Sequence, residues 1–186
     1  IKKDKKDFEI VLLSADENYK ELIKQAKYFK VKNLIITNQE SFEKIKKDKY
    51  VKKIQIYNNF NNFKKIFKKK INYTMSSITG VQGLKPTIDI IKFSKKIAIA
   101  NKESIICGWD LIEKNLKKYK TEFIPVDSEH FSIWYALKSI DKKLIDKIYI
   151  TASGGPFLNL PLSELKKILA SKTDKKSKKS PKKVKK

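Results

Sequence analysis

The sequence predicts an α/β fold: a mainly parallel sheet with helices flanking it. Three observations predict this. Short apolar runs alternate with segments of helical period along most of the 186 residues. Polar clusters follow several of the apolar runs directly, at the carboxyl ends of strands where open α/β sheets bind their ligands. With 40% apolar and 11% aromatic residues, the chain has material for one compact domain or two small ones.

Taken in order, Phe8 to Leu13 reads as a first strand, closed by the polar turn Ser14-Ala15-Asp16-Glu17-Asn18. Tyr19, Leu22, Ile23 and Ala26 then recur at helical spacing. Leu34-Ile35-Ile36 is a buried strand, Phe42 and Ile45 mark a short helix, Ile54 to Tyr57 is a third strand, and Asn58 to Asn62 breaks the pattern. Phe63, Ile66 and Phe67 give another short helical face, and Tyr73 to Gly80 is a strand running into a loop of small residues. Thr87 to Phe93 is helical, with Pro86 near its first turn, where a missing N–H costs little.

Ile97 to Ala100 is the next strand, and Asn101-Lys102-Glu103-Ser104 sits at its carboxyl end, ahead of an amphipathic helix carrying Ile105, Ile106, Trp109, Ile112 and Leu116. Phe123 to Val126 leads into Asp127-Ser128-Glu129-His130, followed by a helical face of Ile133, Trp134 and Leu137. Ile148-Tyr149-Ile150 is expected as the last strand, opening into Thr151-Ala152-Ser153-Gly154-Gly155-Pro156-Phe157, and Leu162, Leu165, Ile168 and Leu169 as a closing helix.

The formal net charge is +24, and all 44 basic residues are lysine. Base-edge recognition favours the planar, bidentate guanidinium, so a basic chain without arginine argues against a sequence-specific nucleic-acid reader. Lysine, isoleucine and asparagine are all heavily used, which points to codon bias. Ser171 to Lys186 holds nine lysines and one aspartate with Val184 as its sole apolar residue. It is expected to be a disordered basic tail, solvated by default and otherwise a nonspecific phosphate or membrane-surface anchor. No apolar run approaches the roughly 18 residues of a membrane span, and the start carries no signal-peptide core, so the expectation is a soluble, cytoplasmic protein. The single cysteine, Cys107, excludes an internal disulfide and is expected to be a small buried residue.

Asp127 and Glu129 stand two apart in a strand-to-helix turn, so both carboxylates can face one hard cation such as Mg²⁺ or Mn²⁺. Surface acids or a helix cap would have the same spacing. His130, the only histidine, suits acid-base work or packing beside the turn. Ser153-Gly154-Gly155 offers a hydroxyl and a backbone that a phosphate can approach closely, or a tight turn before Pro156. Lys102 could face a phosphate or carbonyl oxygen, and its position, rather than its identity, singles it out. No G-x-G-x-x-G turn is present, so spacing alone predicts no nucleotide cofactor.

Together, Met75-Ser76-Ser77-Ile78-Thr79-Gly80, Gly83-Leu84-Lys85-Pro86-Thr87, Ala100-Asn101-Lys102-Glu103-Ser104, Pro125-Val126-Asp127-Ser128-Glu129-His130 and Thr151-Ala152-Ser153-Gly154-Gly155-Pro156-Phe157 resemble 1-deoxy-D-xylulose 5-phosphate reductoisomerase in order and spacing. The resemblance runs from about Phe8 to about Ala170. It implies a partial Rossmann-like NADPH-binding domain over 1–126, the beginning of an α/β catalytic domain over 127–170 and the tail over 171–186. It also implies rearrangement and reduction of the substrate to 2-C-methyl-D-erythritol 4-phosphate for isoprenoid synthesis, with NADPH and Mn²⁺, Mg²⁺ or Co²⁺.

By the same resemblance Asp127 and Glu129 ligate the metal, and Lys102, Ser128, Glu129 and Ser153 bind substrate. Lys102 and Glu129 are then the catalytic pair, and Asn18, Asn101 and Glu103 hold the cofactor. It implies a homodimer for the full-length parent, with neither specific nucleic acid nor membrane as partner.

The departures matter too. The family's opening strand and glycine-rich loop precede the first residue of this chain, and its later metal and loop motifs have no counterpart before the lysine-rich tail. The chain therefore reads as a fragment, truncated or out of frame near Thr173, and is expected not to turn over substrate alone. Asp16 and Glu17 stand where the family has small residues and a lysine, and two carboxylates repel a 2′-phosphate. The rival reading from another class is a noncatalytic basic α/β protein contacting nucleic acid or anionic surfaces.

Overall fold

The computed structural model describes residues 3–126, 128–149, 161, 163 and 164, excluding the side chains of residues 5, 128, 129 and 142. The chain divides into two compact units, Ile1–Lys138 and Ser139–Lys186.

In the first unit the strands are β1 (Leu12–Ala15), β2 (Asn33–Ile36), β3 (Gln55–Tyr57), β4 (Ile71–Ser76), β5 (Ser94–Ile99) and β6 (Glu122–Pro125), and the helices are α1 (Tyr19–Phe29), α2 (Gln39–Ile45), α3 (Phe63–Ile66), α4 (Leu84–Ile91), α5 (Lys102–Tyr119) and α6 (Ser128–Lys138). Every strand pairing among the described residues is parallel, with Leu13 opposite Leu34, Ile35 opposite Tyr57, Met75 opposite Ala98 and Ala98 opposite Ile124. The strands form two three-stranded ladders, β1-β2-β3 and β4-β5-β6, each with a helix between successive strands. The expected α/β fold with a parallel sheet and flanking helices is thus present.

The alternation of β2 shows how the helices are arranged. Leu34 and Ile36 point into a cluster with Leu22, Ile23 and Ala26 of α1 and Ile45 of α2, whereas Ile35 points into a second cluster with Phe63 of α3, Ile90 and Ile91 of α4, Ile97 and Ile99 of β5, and Ile112 and Leu116 of α5. Successive side chains of a strand face opposite ways, so α1 and α2 cover one face and α3, α4 and α5 the other. Parallel crossovers are right-handed. Helices on opposite faces therefore mean that strand order advances in opposite directions in the two ladders, which is the doubly wound plan that opens a crevice at the carboxyl ends. Each fully buried isoleucine contributes roughly 1.5–3 kcal/mol relative to exposure.

Helices α1 and α5 end alike. Lys30 and Lys120 take left-handed φ of 57° and 49°, and the next residues donate back from Val31 N to Ala26 O (2.9 Å) and from Thr121 N to Leu116 O (3.0 Å). Lysine fills the cap usually given to glycine. Inside α5, Gly108 departs from helical geometry (φ −139°, ψ 23°), and a Cβ there would collide with the Leu84 methyls, so α4 and α5 meet at bare backbone.

Three expectations change. Cys107 is exposed, because it lies on the solvent side of α5 next to Ile106, itself 81% exposed. The fourth helix starts at Leu84, placing Pro86 at its third residue, where no intrahelical N–H bond is lost. Ile148 and Tyr149 form no strand and are exposed; Ile150 lies outside the described residues. The closing helix expected over 162–169 also lies outside them, except for helical Ser163 and Glu164, as does the tail from Ser171. Among the described residues no helix is long and apolar enough to cross a membrane.

Candidate active site

Three of the expected site residues sit together where β5 ends. Asn101 caps α5: its Oδ1 accepts from Ser104 N (2.7 Å), satisfying one of the free donors of a helix start. Its Nδ2 donates to the carbonyls of Ile78 and Gly80 (2.8 Å to Gly80), so one side chain, 3% exposed, ties the loop after β4 to the head of α5. Gly83 is required there, because a Cβ would run into the Asn101 amide and Ile78 O. Gly80, at φ 75°, supplies the left-handed turn of the same loop. A hydroxyl chain continues inward: Ser76 Oγ lies 2.6 Å from Thr87 Oγ1, which donates to Gly83 O (2.7 Å).

This framework leaves Lys102 and Glu103 exposed in the first turn of α5, at the carboxyl end of the central strand of its ladder. Lys102 has no ion pair among the described residues. A cation in the first turn opposes the helix dipole, so its placement gains nothing for α5 itself. The buried Ser104 hydroxyl also has no hydrogen-bond partner among the described residues.

Asn18, at the carboxyl end of β1, caps α1 by accepting from Glu21 N (3.2 Å), which leaves its amide N–H groups facing solvent. The turn ahead of it is tied to the end of β2: Thr37 Oγ1 donates to Asp16 Oδ1 (2.6 Å) and Asn38 N to Asp16 O (3.2 Å). Asp127 and Ser153 lie outside the described residues, as do the side chains of Ser128 and Glu129, which open α6. His130 is exposed in the first turn of α6. Among the described residues no cluster of three or more histidine, cysteine or acidic side chains could hold a metal.

One perturbed acid lies on β6: hydrogen bonds from Lys96 and then Lys138 hold the Glu122 carboxyl below its ordinary range. It is at the opposite, amino end of the strand from Lys102. Sequence reading singled out Asn101 as a ligand but missed its structural work. The Asn-x-x-Ser pattern ahead of an apolar-periodic segment was the signal for the cap; nothing in the sequence marks the bonds to Ile78 and Gly80.

The sequence profile of the 1-deoxy-D-xylulose 5-phosphate reductoisomerase family matches residues 1–108, and that of its C-terminal domain matches residues 123–180. The chain belongs to this family. The Pelagibacter ubique reductoisomerase is 58% identical over 90% of this chain and 44% of its own length. That of Wolbachia in Culex pipiens is 35% identical over 89% and 42%. The chain thus spans about 44% of the curated relatives it matches. Among solved structures, the reductoisomerase from Zymomonas mobilis in complex with NADPH has a TM-score of 0.76 at 29% identity, covering 88% of this chain and 43% of that one. A reductoisomerase solved with NADPH, fosmidomycin and magnesium shares the fold at a TM-score of 0.72 and 23% identity, covering 90% of this chain and 44% of that one. The match of the C-terminal-domain profile extends past Ala170, where the motif resemblance stops.

Proposed function

We propose that this chain carries the cofactor side and the first catalytic residues of a reductoisomerase. The enzyme rearranges 1-deoxy-D-xylulose 5-phosphate and reduces the product to 2-C-methyl-D-erythritol 4-phosphate, in the cytoplasm and as a homodimer. The division into a cofactor part through Val126 and a catalytic part from Asp127 belongs to the same proposal. The observation that carries it is Lys102: a cation with no ion pair among the described residues, held against the helix dipole beside the Asn101 cap, at the carboxyl end of a central parallel strand.

The chemistry of the residues fits the cofactors of the family. Exposed Asn18 and Glu103 present hydrogen-bonding groups at the ends of β1 and β5, and Asn101, with its side chain fully engaged, would meet a dinucleotide through its backbone. The donor set Asp127 and Glu129 is hard oxygen, suited to Mg²⁺ or Mn²⁺. A bound divalent cation would polarise the carbonyl and hydroxyl oxygens of the substrate. Lys102 would hold one of those oxygens, and Ser128, Glu129 and Ser153 would bind the substrate beside it, so that orientation is set before reaction.

The test is substrate-dependent NADPH oxidation by the full-length protein with Mn²⁺. Lys102→Ala and Asp127→Asn should each lower kcat/KM by about a hundredfold or more, as expected for groups whose charge acts in the transition state. Retention of activity within about twofold in Lys102→Ala would overturn the role given to it.

A further inference from the structure

The turn after β1 has a feature that the proposed reaction does not use. Asp16 and Glu17 are consecutive, exposed carboxylates at the carboxyl end of β1, and neither is in an ion pair among the described residues. They do not wave freely. The bonds from Thr37 Oγ1 and Asn38 N fix Asp16 against the end of β2 and occupy its Oδ1 and its carbonyl, leaving Oδ2 available. The connections that follow β1 and β2, Asp16-Glu17-Asn18 and Thr37-Asn38, contain no lysine, in a chain with 44 of them.

In a doubly wound sheet a dinucleotide lies across the carboxyl ends at the crevice, with its adenosine ribose beside the end of a strand next to the crevice. An acid there accepts a hydrogen bond from a free ribose 2′-hydroxyl, whereas a 2′-phosphate wants a cation. Asp16 and Glu17 supply the first condition and oppose the second.

We infer that Asp16 and Glu17 relax discrimination at the ribose, so that this protein takes NADH alongside NADPH. The inference rests on the reductoisomerase reading, since that reading brings a nicotinamide dinucleotide to this edge. A free 2′-hydroxyl donates to Asp16 Oδ2. A 2′-phosphate meets two negative charges and must recruit solvent cations or Lys20, one turn further on.

The experiment is equilibrium binding of NADH and NADPH to the full-length protein, followed by nicotinamide fluorescence without substrate or metal. The wild type should bind the two with Kd values within about thirtyfold of each other, roughly 2 kcal/mol. Glu17→Lys and the double variant Asp16→Asn, Glu17→Lys should tighten NADPH by about tenfold or more while moving NADH by less than about threefold. Both positions are exposed, so the variants fold, and thermal melting checks this. A wild-type preference for NADPH beyond thirtyfold, or variants that leave the ratio unchanged, would overturn the inference and leave the reductoisomerase reading intact. Failure of the wild type to bind either dinucleotide would overturn that reading and this inference with it.

Discussion

After β1 the chain turns through Asp16-Glu17-Asn18, after β2 through Thr37-Asn38, after β4 through Ser77-Ile78-Thr79-Gly80 and after β5 through Ala100-Asn101, without a lysine in any of them. At the amino ends of the strands, Lys30 and Lys32 lead into β2, Lys52 and Lys53 into β3, Lys68, Lys69 and Lys70 into β4, and Lys120 into β6. Codon bias alone distributes lysine wherever it is tolerated. Helix C-termini tolerate it well, because their free carbonyls attract cations, as Lys70 illustrates by donating to Tyr119 O. The connections that leave the carboxyl ends of these strands hold none, although Lys20, Lys85 and Lys102 stand in the first turns of α1, α4 and α5; Lys85 pairs with Asp89 there, and of the two without an ion pair among the described residues Lys102 is the one at the end of a central strand.

The largest expected effect is at the lysine-free end. Asn101→Ala removes a cap and two donations to loop carbonyls, and should cost about 2–4 kcal/mol in urea unfolding. Gly83→Ala should cost a similar amount, because a Cβ has no room beside the Asn101 amide. Cost below about 0.5 kcal/mol in both would show that the loop after β4 does not depend on this clamp.

The lysine-rich end should respond in the opposite direction. Lys30→Gly and Lys120→Gly relieve left-handed backbone that a side chain resists, and each should stabilise by about 0.5–1 kcal/mol. A loss on either substitution would mean that the lysine side chain contributes more at the cap than its φ costs.

The smallest effect concerns Glu122. Its folded pKa is lowered by Lys96 (3.0 Å) and Lys138 (3.2 Å), so its contribution is present above the ordinary glutamate value and is lost as pH falls through the folded one. The pair is surface-exposed, so Glu122→Gln should cost well under 1 kcal/mol at neutral pH. The variant should unfold with less acid sensitivity below about pH 4.3. An unchanged acid limb of the stability profile would discount the pair.

The sequence made the periodic parts of this fold legible and left the isolated polar ones hidden. Leu34-Ile35-Ile36 announced a buried strand because an apolar run survives any choice of neighbours. Ser94, Thr87 and Thr121 gave no such sign. Yet Thr121 Oγ1 donates to both Ile91 O and Ser94 O (2.9 Å each), and Ser94 Oγ to Ile90 O (2.9 Å), holding the end of α4 to β5 and β6. A lone hydroxyl carries no period, and its partners are backbone atoms that no residue type specifies. The candidate site was legible as motifs at strand ends. What could not be read was which side chains face a ligand and which, like Asn101, face inward, because an asparagine has the same donors and acceptor for both tasks.

The break in α5 at Gly108 changes how a load at the site is borne. Ile112 and Leu116 seat the far half of the helix in the core, while the half from Lys102 to Cys107 is held by buried Ser104, by Ile105 against the same cluster and by the Asn101 cap at the end of β5. A straight helix would transmit a pull on Lys102 along its axis into those seats. With the joint resting on Leu84, the helix is interrupted between Lys102 and those seats, and the near half is tied to the loop after β4 by the Asn101 bonds. The turn that carries Lys102 and the isoleucine seats are thus fixed by separate sets of contacts.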